Sequence, residues 1–173
     1  MKKDNWILKA FLMTFFIAII FSSASNLLIS KFNNTILLIV VCVIFIGIGI
    51  LFDIVGTAVL TANEASFHAK SAKKIKGSKE GVYLIKNSST IASICNDVIG
   101  DICGIVSGSL GAMLAINIST KFNLSTVIIT LLVSSIISSL TVGGKAIGKK
   151  QAIKNSDAII FIAAKIFSKF KTK

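Results

Sequence analysis

Hydrophobic residues run along the chain in four long blocks, and short polar segments separate one block from the next. The blocks cover residues 6–29, 35–62, 90–118 and 124–142. Each supplies roughly the 20 apolar residues that an α-helix needs to cross a bilayer. The pattern therefore predicts an all-α membrane protein with four transmembrane helices.

The first block also shares features with a signal peptide, because Ser23, Ala24 and Ser25 form a small-residue cleavage site. Its apolar stretch is longer than the core of a typical signal peptide. A short polar turn, residues 30–34, then leads into the second block. We therefore interpret the first block as an uncleaved transmembrane span.

Beyond the fourth block, residues 149–170 mix isoleucine and phenylalanine with lysines that are four residues apart in pairs. A helix collects residues with that spacing on one side. The segment is predicted to form a basic amphipathic juxtamembrane helix that lies on an anionic inner leaflet. The alternative is that this helix packs under the bundle.

The lysines indicate how the spans are oriented. They are numerous at the N-terminus, in residues 63–89 and after residue 144, whereas the two other turns contain only Lys31 and Lys121. Loops rich in lysine stay on the cytoplasmic side of a membrane. The chain is thus predicted to be one integral membrane domain, residues 1–173, in the cell membrane. Both termini and the basic loop 63–89 are expected in the cytoplasm.

Composition narrows the class of protein further. The chain is 54% hydrophobic, carries a net charge of +12 and contains no arginine. Soluble domains are rarely so apolar. Lysines that cluster between and after apolar blocks do not form the basic surface of a nucleic-acid-binding domain. The expected partner is the lipid bilayer rather than nucleic acid, and the Lys-, Ile- and Asn-rich usage is typical of an AT-rich bacterial genome.

Three aspartates, Asp53, Asp97 and Asp101, interrupt the apolar blocks. A carboxylate inside a bilayer costs about 2.5–3.5 kcal/mol even on insertion scales, so such residues usually face a cavity, an ion path or a partner charge. With Asn96 beside them they offer the oxygen ligands that suit Mg²⁺. These four residues are the predicted metal site. The alternative is that the carboxylates lie at the membrane edge or pair with a lysine, notably Lys145.

Glycines repeat along the third block. Gly100, Gly104 and Gly108 are spaced at intervals of four, which is the small-xxx-small pattern that lets another helix approach closely. The pattern predicts a tight helix–helix contact. The contact lies either within one chain or between the two chains of a homodimer.

No motif in the chain predicts an enzyme. Residues 143–149 fit the phosphate-binding pattern G-x-x-x-x-G-K, but Lys150 stands where that motif needs Ser or Thr, and the motif follows a membrane helix rather than a strand. No nucleophile is paired with a base, and no hydrolytic metal motif occurs. Cys42, Cys95 and Cys103 all fall inside apolar blocks and are interpreted as small buried residues.

From about residue 45 to the C-terminus, the order of features resembles the transmembrane domain of the CNNM/CorB/CorC family of magnesium and cobalt transporters. Where the family has a segment like Phe-Ser-Ala-Ala-Glu-Thr-Ala, residues 52–58 are Phe-Asp-Ile-Val-Gly-Thr-Ala. Residues 94–97, Ile-Cys-Asn-Asp, match an Ile-Gly-Asn-Thr-type motif. Residues 144–149, Gly-Lys-Ala-Ile-Gly-Lys, stand where the family has Gly-Glu-x-x-Pro-Lys. The CBS domains of the family have no counterpart among these residues.

The resemblance implies a dehydrated Mg²⁺ held by oxygen groups from three core spans. Asn96 matches the family asparagine, and Asp53 stands where a ligand serine would be. Two positions depart from the family, since Lys145 replaces its glutamate and Gly148 replaces its proline. A lysine at position 145 is able to occupy the site as a tethered cation.

Three functions follow from these observations. The first is binding or transport of a divalent cation, Mg²⁺ or Co²⁺, by alternating access through the carboxylate site. The second is a non-transporting accessory or structural membrane protein of the same fold, with the site occupied by Lys145. The third, a pore-forming protein of the holin type, ranks last because it does not need intramembrane aspartates.

Overall fold

The computed structural model describes residues 4–31 and 35–171, which are almost entirely helical and include no strand. The elements are α1 (Asp4–Lys31), α2 (Thr35–Thr61), α3 (Glu64–Ala72), α4 (Ser78–Lys86), α5 (Ser88–Ser93), a π-helical segment (Ile94–Gly100), α6 (Asp101–Phe122), α7 (Thr126–Lys154) and α8 (Ser156–Lys171). The predicted all-α class is confirmed.

Three helical stretches are long and apolar enough to cross a membrane: Thr35–Thr61, Ser88–Phe122 and Thr126–Lys154. They contain the whole of the third predicted block and all but one or two residues of the second and fourth. Helix α1 covers the first block, but its apolar part within the described residues is the shorter stretch Phe11–Ser23. The helices are those that a multi-pass membrane protein requires.

The segment predicted as a basic loop, residues 63–89, contains two short helices. Helix α3 begins after Asn63, whose side-chain oxygen accepts a hydrogen bond from the N–H of Ala65. Helix α4 begins after Gly77, which adopts φ +90°. A side chain at position 77 would also approach Lys165 to 3.0 Å, so both the backbone and the space favour glycine there.

The C-terminal helix also differs from the prediction in its bounds. Helix α7 does not end with the fourth apolar block but continues to Lys154, and α8 then starts at Ser156. The residues after position 144 include alanine, lysine and glutamine, which are good helix formers, and the chain has no proline to end the helix earlier. A change from apolar to basic residues therefore ends the hydrophobic block without ending the helix.

The chain divides into two compact units. Unit 1 combines Met1–Ile50 with Val98–Gly144, and unit 2 combines Leu51–Asp97 with Lys145–Lys173. Lysines 2, 3, 9, 31 and 121 belong to unit 1, and all the others belong to unit 2. Unit 2 therefore carries most of the positive charge.

Unit 1 is held together by apolar contacts among α1, α2 and α6. Phe21 of α1 packs edge-on against Phe45 of α2, with ring centroids 5.8 Å apart. Backbones also come close, because a Cβ added at Gly49 would lie 3.1 Å from Cys103 Cβ. The buried core of the unit consists of Leu38, Cys42, Phe45, Ile46, Val98, Ile102, Cys103, Val106 and Leu110.

Unit 2 is centred on Phe67, whose side chain is fully buried. Gly81 lies directly against the Phe67 ring, where a larger residue would clash. Two hydrogen bonds attach the start of α8 to the junction between α2 and α3: the Asn63 N–H donates to Asp157 Oδ1 at 2.8 Å, and the Ser156 hydroxyl donates to the Thr61 carbonyl at 3.3 Å. The buried core of the unit consists of Ala58, Val59, Phe67, Ala92, Ala152 and Ile160.

Candidate ion-pair site at Asp53

Asp53 is a buried carboxylate in the last part of α2, and it belongs to unit 2. Only 3% of the residue is exposed. Lys145 Nζ lies 4.0 Å from Asp53 Oδ1, and Lys149 Nζ lies 3.6 Å from Asp53 Oδ2. The two lysines are one turn apart on α7 and therefore share a face of that helix. Each carboxylate oxygen thus has its own ammonium group.

The two ammonium groups reduce the cost of burying Asp53. An isolated buried ion loses several kcal/mol of hydration free energy, and an opposite charge nearby offsets part of that loss. The lysines contribute unequally, because the Lys145 side chain is 23% exposed and the Lys149 side chain is 51% exposed. Water screens the more exposed pair more strongly. The ion pair of Lys145 with Asp53 is therefore less screened by water than the ion pair of Lys149.

The ion pairs do not satisfy the hydrogen-bonding capacity of the carboxylate. Both nitrogen–oxygen distances exceed the usual 2.7–2.9 Å of a charge-assisted hydrogen bond. Asp53 Oδ2 accepts no hydrogen bond from the residues that the structure describes. Two positive charges thus face the single negative charge of Asp53, while one of its oxygens keeps an unused acceptor site.

Asn96 supplies a second unsatisfied oxygen in unit 2. It lies on the π-helical segment Ile94–Gly100 and packs against Gly56, where an added Cβ would clash with Asn96 Oδ1. That Oδ1 atom is buried and has no hydrogen-bond partner within the described chain. Gly56 follows Asp53 by three residues, so the two face the same side of α2. Two oxygens without hydrogen bonds therefore lie on one side of this helix end.

The other two predicted ligands are exposed. Asp97 lies next to Asn96 on the π-helical segment, and Asp101 begins α6 and belongs to unit 1. Neither forms a salt bridge with another described residue. Over residues 4–31 and 35–171, no three His, Cys, Asp or Glu side chains are grouped closely enough to hold a metal ion. The partners that the structure gives Asp53 are Lys145 and Lys149.

The glycines of α6 differ in how closely other residues approach them. A Cβ added at Gly104 or Gly108 would meet nothing within 4 Å, whereas one added at Gly111 would clash with Ile137. Gly100, at the end of the π-helical segment, is buried. Gly111 therefore makes the close approach within unit 1, and Gly104 and Gly108 face open space among the described residues.

Three features of this site are absent from the sequence-based prediction. Lys149 was detectable, because it is one helical turn beyond Lys145 and therefore shares its face. Gly56 was also detectable, as a small residue one turn from a buried aspartate. The π-helical segment had no such signal, because its one-residue insertion leaves no mark on a continuous apolar pattern.

Comparisons with protein-family models, with curated proteins and with solved structures find no match to this chain. The resemblance to the CNNM/CorB/CorC transporters stays a prediction that rests on the short motifs of residues 52–58, 94–97 and 144–149.

Proposed function

We propose that this chain is a non-transporting accessory or structural protein of the cell membrane, in which Lys145 and Lys149 take the place of a bound cation at Asp53. The observation that carries the proposal is the pairing of both Asp53 oxygens with lysine nitrogens, at 4.0 Å and 3.6 Å. Two ammonium groups supply the same charge as one divalent cation. They are also covalently attached, so they compete with free ions at a high effective concentration.

The topology proposed for this protein has four spans. Helix α1 would be the first, and the three long apolar helices would be the others. An even number of spans returns the chain to the side from which it started, and the lysine-rich segments favour the cytoplasm for both termini. Helix α8 would then lie at the inner face of the membrane as the juxtamembrane helix.

Binding or transport of Mg²⁺ or Co²⁺ is the second candidate. The unsatisfied oxygens of Asp53 and Asn96 favour it, because both are hard ligands on one side of α2. Lys149, whose side chain is half exposed, would have to move aside. Asp97 and Asp101 would complete the ligand set only after a rearrangement that buries them. Homodimerisation through Gly104 and Gly108 is compatible with either candidate.

Mg²⁺ flux into proteoliposomes that contain only this chain tests the two candidates, with Co²⁺ and Mn²⁺ as comparators. If the lysines occupy the Asp53 site, we expect no saturable Mg²⁺ flux and no Mg²⁺-dependent thermal stabilisation of the purified protein. Saturable flux would overturn the first candidate in favour of the second. In that case Asp97→Asn should abolish Mg²⁺-dependent stabilisation, and an unchanged shift would remove Asp97 from the site.

A further inference from the structure

Unit 2 contains an apolar groove next to a lysine-lined pocket, and helices α4 and α8 line both. The groove has a volume of about 410 Å³, and its walls include Val59, Leu84, Ile91, Ile160 and Phe167. Its few polar groups belong to Tyr83, Asn87 and Thr90. A concave apolar site with a small number of polar groups is the usual form of a site for a small amphiphilic molecule.

Two aromatic rings form an exposed wall of the groove. Tyr83 of α4 and Phe167 of α8 stack with an interplanar angle of 5° and ring centroids 6.4 Å apart. Their residues are 56% and 43% exposed, so the fold brings the rings together but leaves them uncovered. Large aromatic side chains gain most from burial when an apolar molecule covers them.

The neighbouring pocket, about 490 Å³, is lined by three lysines and one carboxylate. Its charged lining residues are Lys74, Lys76 and Lys79 with a single acidic residue, Glu80, so the lining has an excess of positive charge. Ser168 of α8 also lines it. Lysine ammonium groups at a membrane surface attract the phosphate groups of anionic lipids.

The pocket and the groove are lined by neighbouring residues of the same two helices. On α4, Lys79 precedes Tyr83 by one turn, about 6 Å along the helix axis at 1.5 Å per residue. On α8, Phe167 of the groove is adjacent to Ser168 of the pocket. Positive charge therefore gives way to apolar surface over the distance that separates a lipid headgroup from its acyl chains.

We propose that unit 2 binds an anionic phospholipid, with an acyl chain in the groove and the phosphate at Lys74, Lys76 and Lys79. The charge of the pocket selects an anionic headgroup, and the apolar groove selects an acyl chain over a free phosphate. This inference does not depend on the lysine-occupied site at Asp53, because none of the residues involved contacts that carboxylate.

Tyr83 provides a direct probe of the groove. The chain contains one tyrosine and one tryptophan, so Trp6→Phe leaves Tyr83 as its only strongly fluorescent residue. This variant is reconstituted into phosphatidylcholine vesicles, which add no fluorescent protein, with rising shares of phosphatidylglycerol whose acyl chains carry bromine. We expect brominated phosphatidylglycerol to quench Tyr83 fully at a several-fold lower share of the total lipid than brominated phosphatidylcholine does.

Charge variants test the pocket. In the Trp6→Phe background, Lys76→Gln with Lys79→Gln should raise the half-saturating share of brominated phosphatidylglycerol at least fivefold, since each lysine near a membrane surface contributes about fivefold to anionic-lipid binding. The matched control is Lys150→Gln with Lys154→Gln, which removes the same charge from exposed positions outside the pocket. It should change the half-saturating share less than twofold.

Three results would overturn the proposal. The first is equal quenching by the two brominated lipids, which would mean that no headgroup is selected. The second is an equal effect of the two double lysine variants, which would mean that lipid binding depends on the overall surface charge and not on the pocket. The third is binding of inorganic phosphate without quenching by either lipid, which would identify a free anion as the occupant.

Discussion

The side-chain oxygen of Asn96 lies in the space that a Cβ would fill at Gly56. This contact joins the π-helical segment to the end of α2, one turn from the buried carboxylate of Asp53. Since Asn96 Oδ1 accepts no hydrogen bond from described residues, the contact depends on close packing alone. Position 56 therefore needs a glycine because Asn96 packs against it, and not because the backbone of α2 requires one.

Gly56→Ala should destabilise the protein, because the new methyl group would displace Asn96. Inserting a methyl group into a packed interior costs about 1–3 kcal/mol. Gly47 provides the control on the same helix, since a Cβ there meets nothing within 4 Å and alanine is the better helix former. Thermal denaturation in detergent would show a lower midpoint for Gly56→Ala only. Equal midpoints for the two variants would refute the close packing of Asn96.

Removing both lysines from Asp53 should be costly, and removing the carboxylate as well should restore stability. A buried charge that loses its partners costs about 3–5 kcal/mol. We expect a large loss for Lys145→Met with Lys149→Met, and a much smaller loss when Asp53→Asn is added. Lys145→Met alone should cost more than Lys149→Met, because Lys145 is less exposed.

Chemical denaturation of the four combinations measures this coupling directly. The interaction energy is the part of the lysine effect that disappears in the Asp53→Asn background. Lys150→Met with Lys154→Met is the matched control for loss of charge from α7. A lysine effect of the same size with and without Asp53 would show that the pairing contributes nothing.

Lys145→Glu should create a divalent-cation site. The substitution replaces a tethered cation beside Asp53 by a carboxylate and introduces the acidic residue that the CNNM/CorB/CorC pattern has there. We expect Mg²⁺ to raise the melting temperature of this variant and to leave the parent unchanged. Lys150→Glu, which is exposed on the same helix, should show no Mg²⁺ effect. If Lys145→Glu gains nothing over the parent even when Lys149→Met removes the second ammonium group, Lys145 does not occupy a cation site.

Gly108→Leu should leave the fold of the single chain intact, because the space beside Gly108 is open. If two copies associate through Gly104 and Gly108, the same change should abolish the dimer, since the helices then cannot approach. Gly143→Leu is the control, at another open position. Cross-linking in detergent or lipid distinguishes the cases, and an unchanged dimer fraction for Gly108→Leu would place any dimer contact elsewhere.

The sequence predicts the helical class and the long apolar helices well, because hydropathy summed over about 20 residues is a strong physical signal. It also raised Asp53–Lys145 pairing as an alternative to a metal site, since a carboxylate in an apolar helix requires a compensating charge. The four-residue set of Asp53, Asn96, Asp97 and Asp101 was less predictable. Spacing along a helix gives the face of a residue only if the helix is regular.

Local irregularities account for most of the remaining differences. Residues 94–100 form a π-helical turn, which rotates the residues that follow relative to a regular α-helix. The starts of α3 and α4 depend on single residues, the capping Asn63 and the left-handed Gly77. The position of Lys149 next to Asp53 depends on α7 continuing past its apolar block, which hydropathy alone does not indicate.

The division of unit 2 between two distant parts of the chain imposes an order on its synthesis. Asp53 emerges from the ribosome well before Lys145 and Lys149, with all of Val98–Gly144 made in between. At roughly 5–20 residues per second this delay lasts several seconds. During that time the carboxylate has neither of its lysines, and the Asn63–Asp157 hydrogen bond cannot form. Completion of unit 2 is therefore a late event in synthesis, and a nascent chain stalled before α7 ends would hold Asp53 without its two lysines.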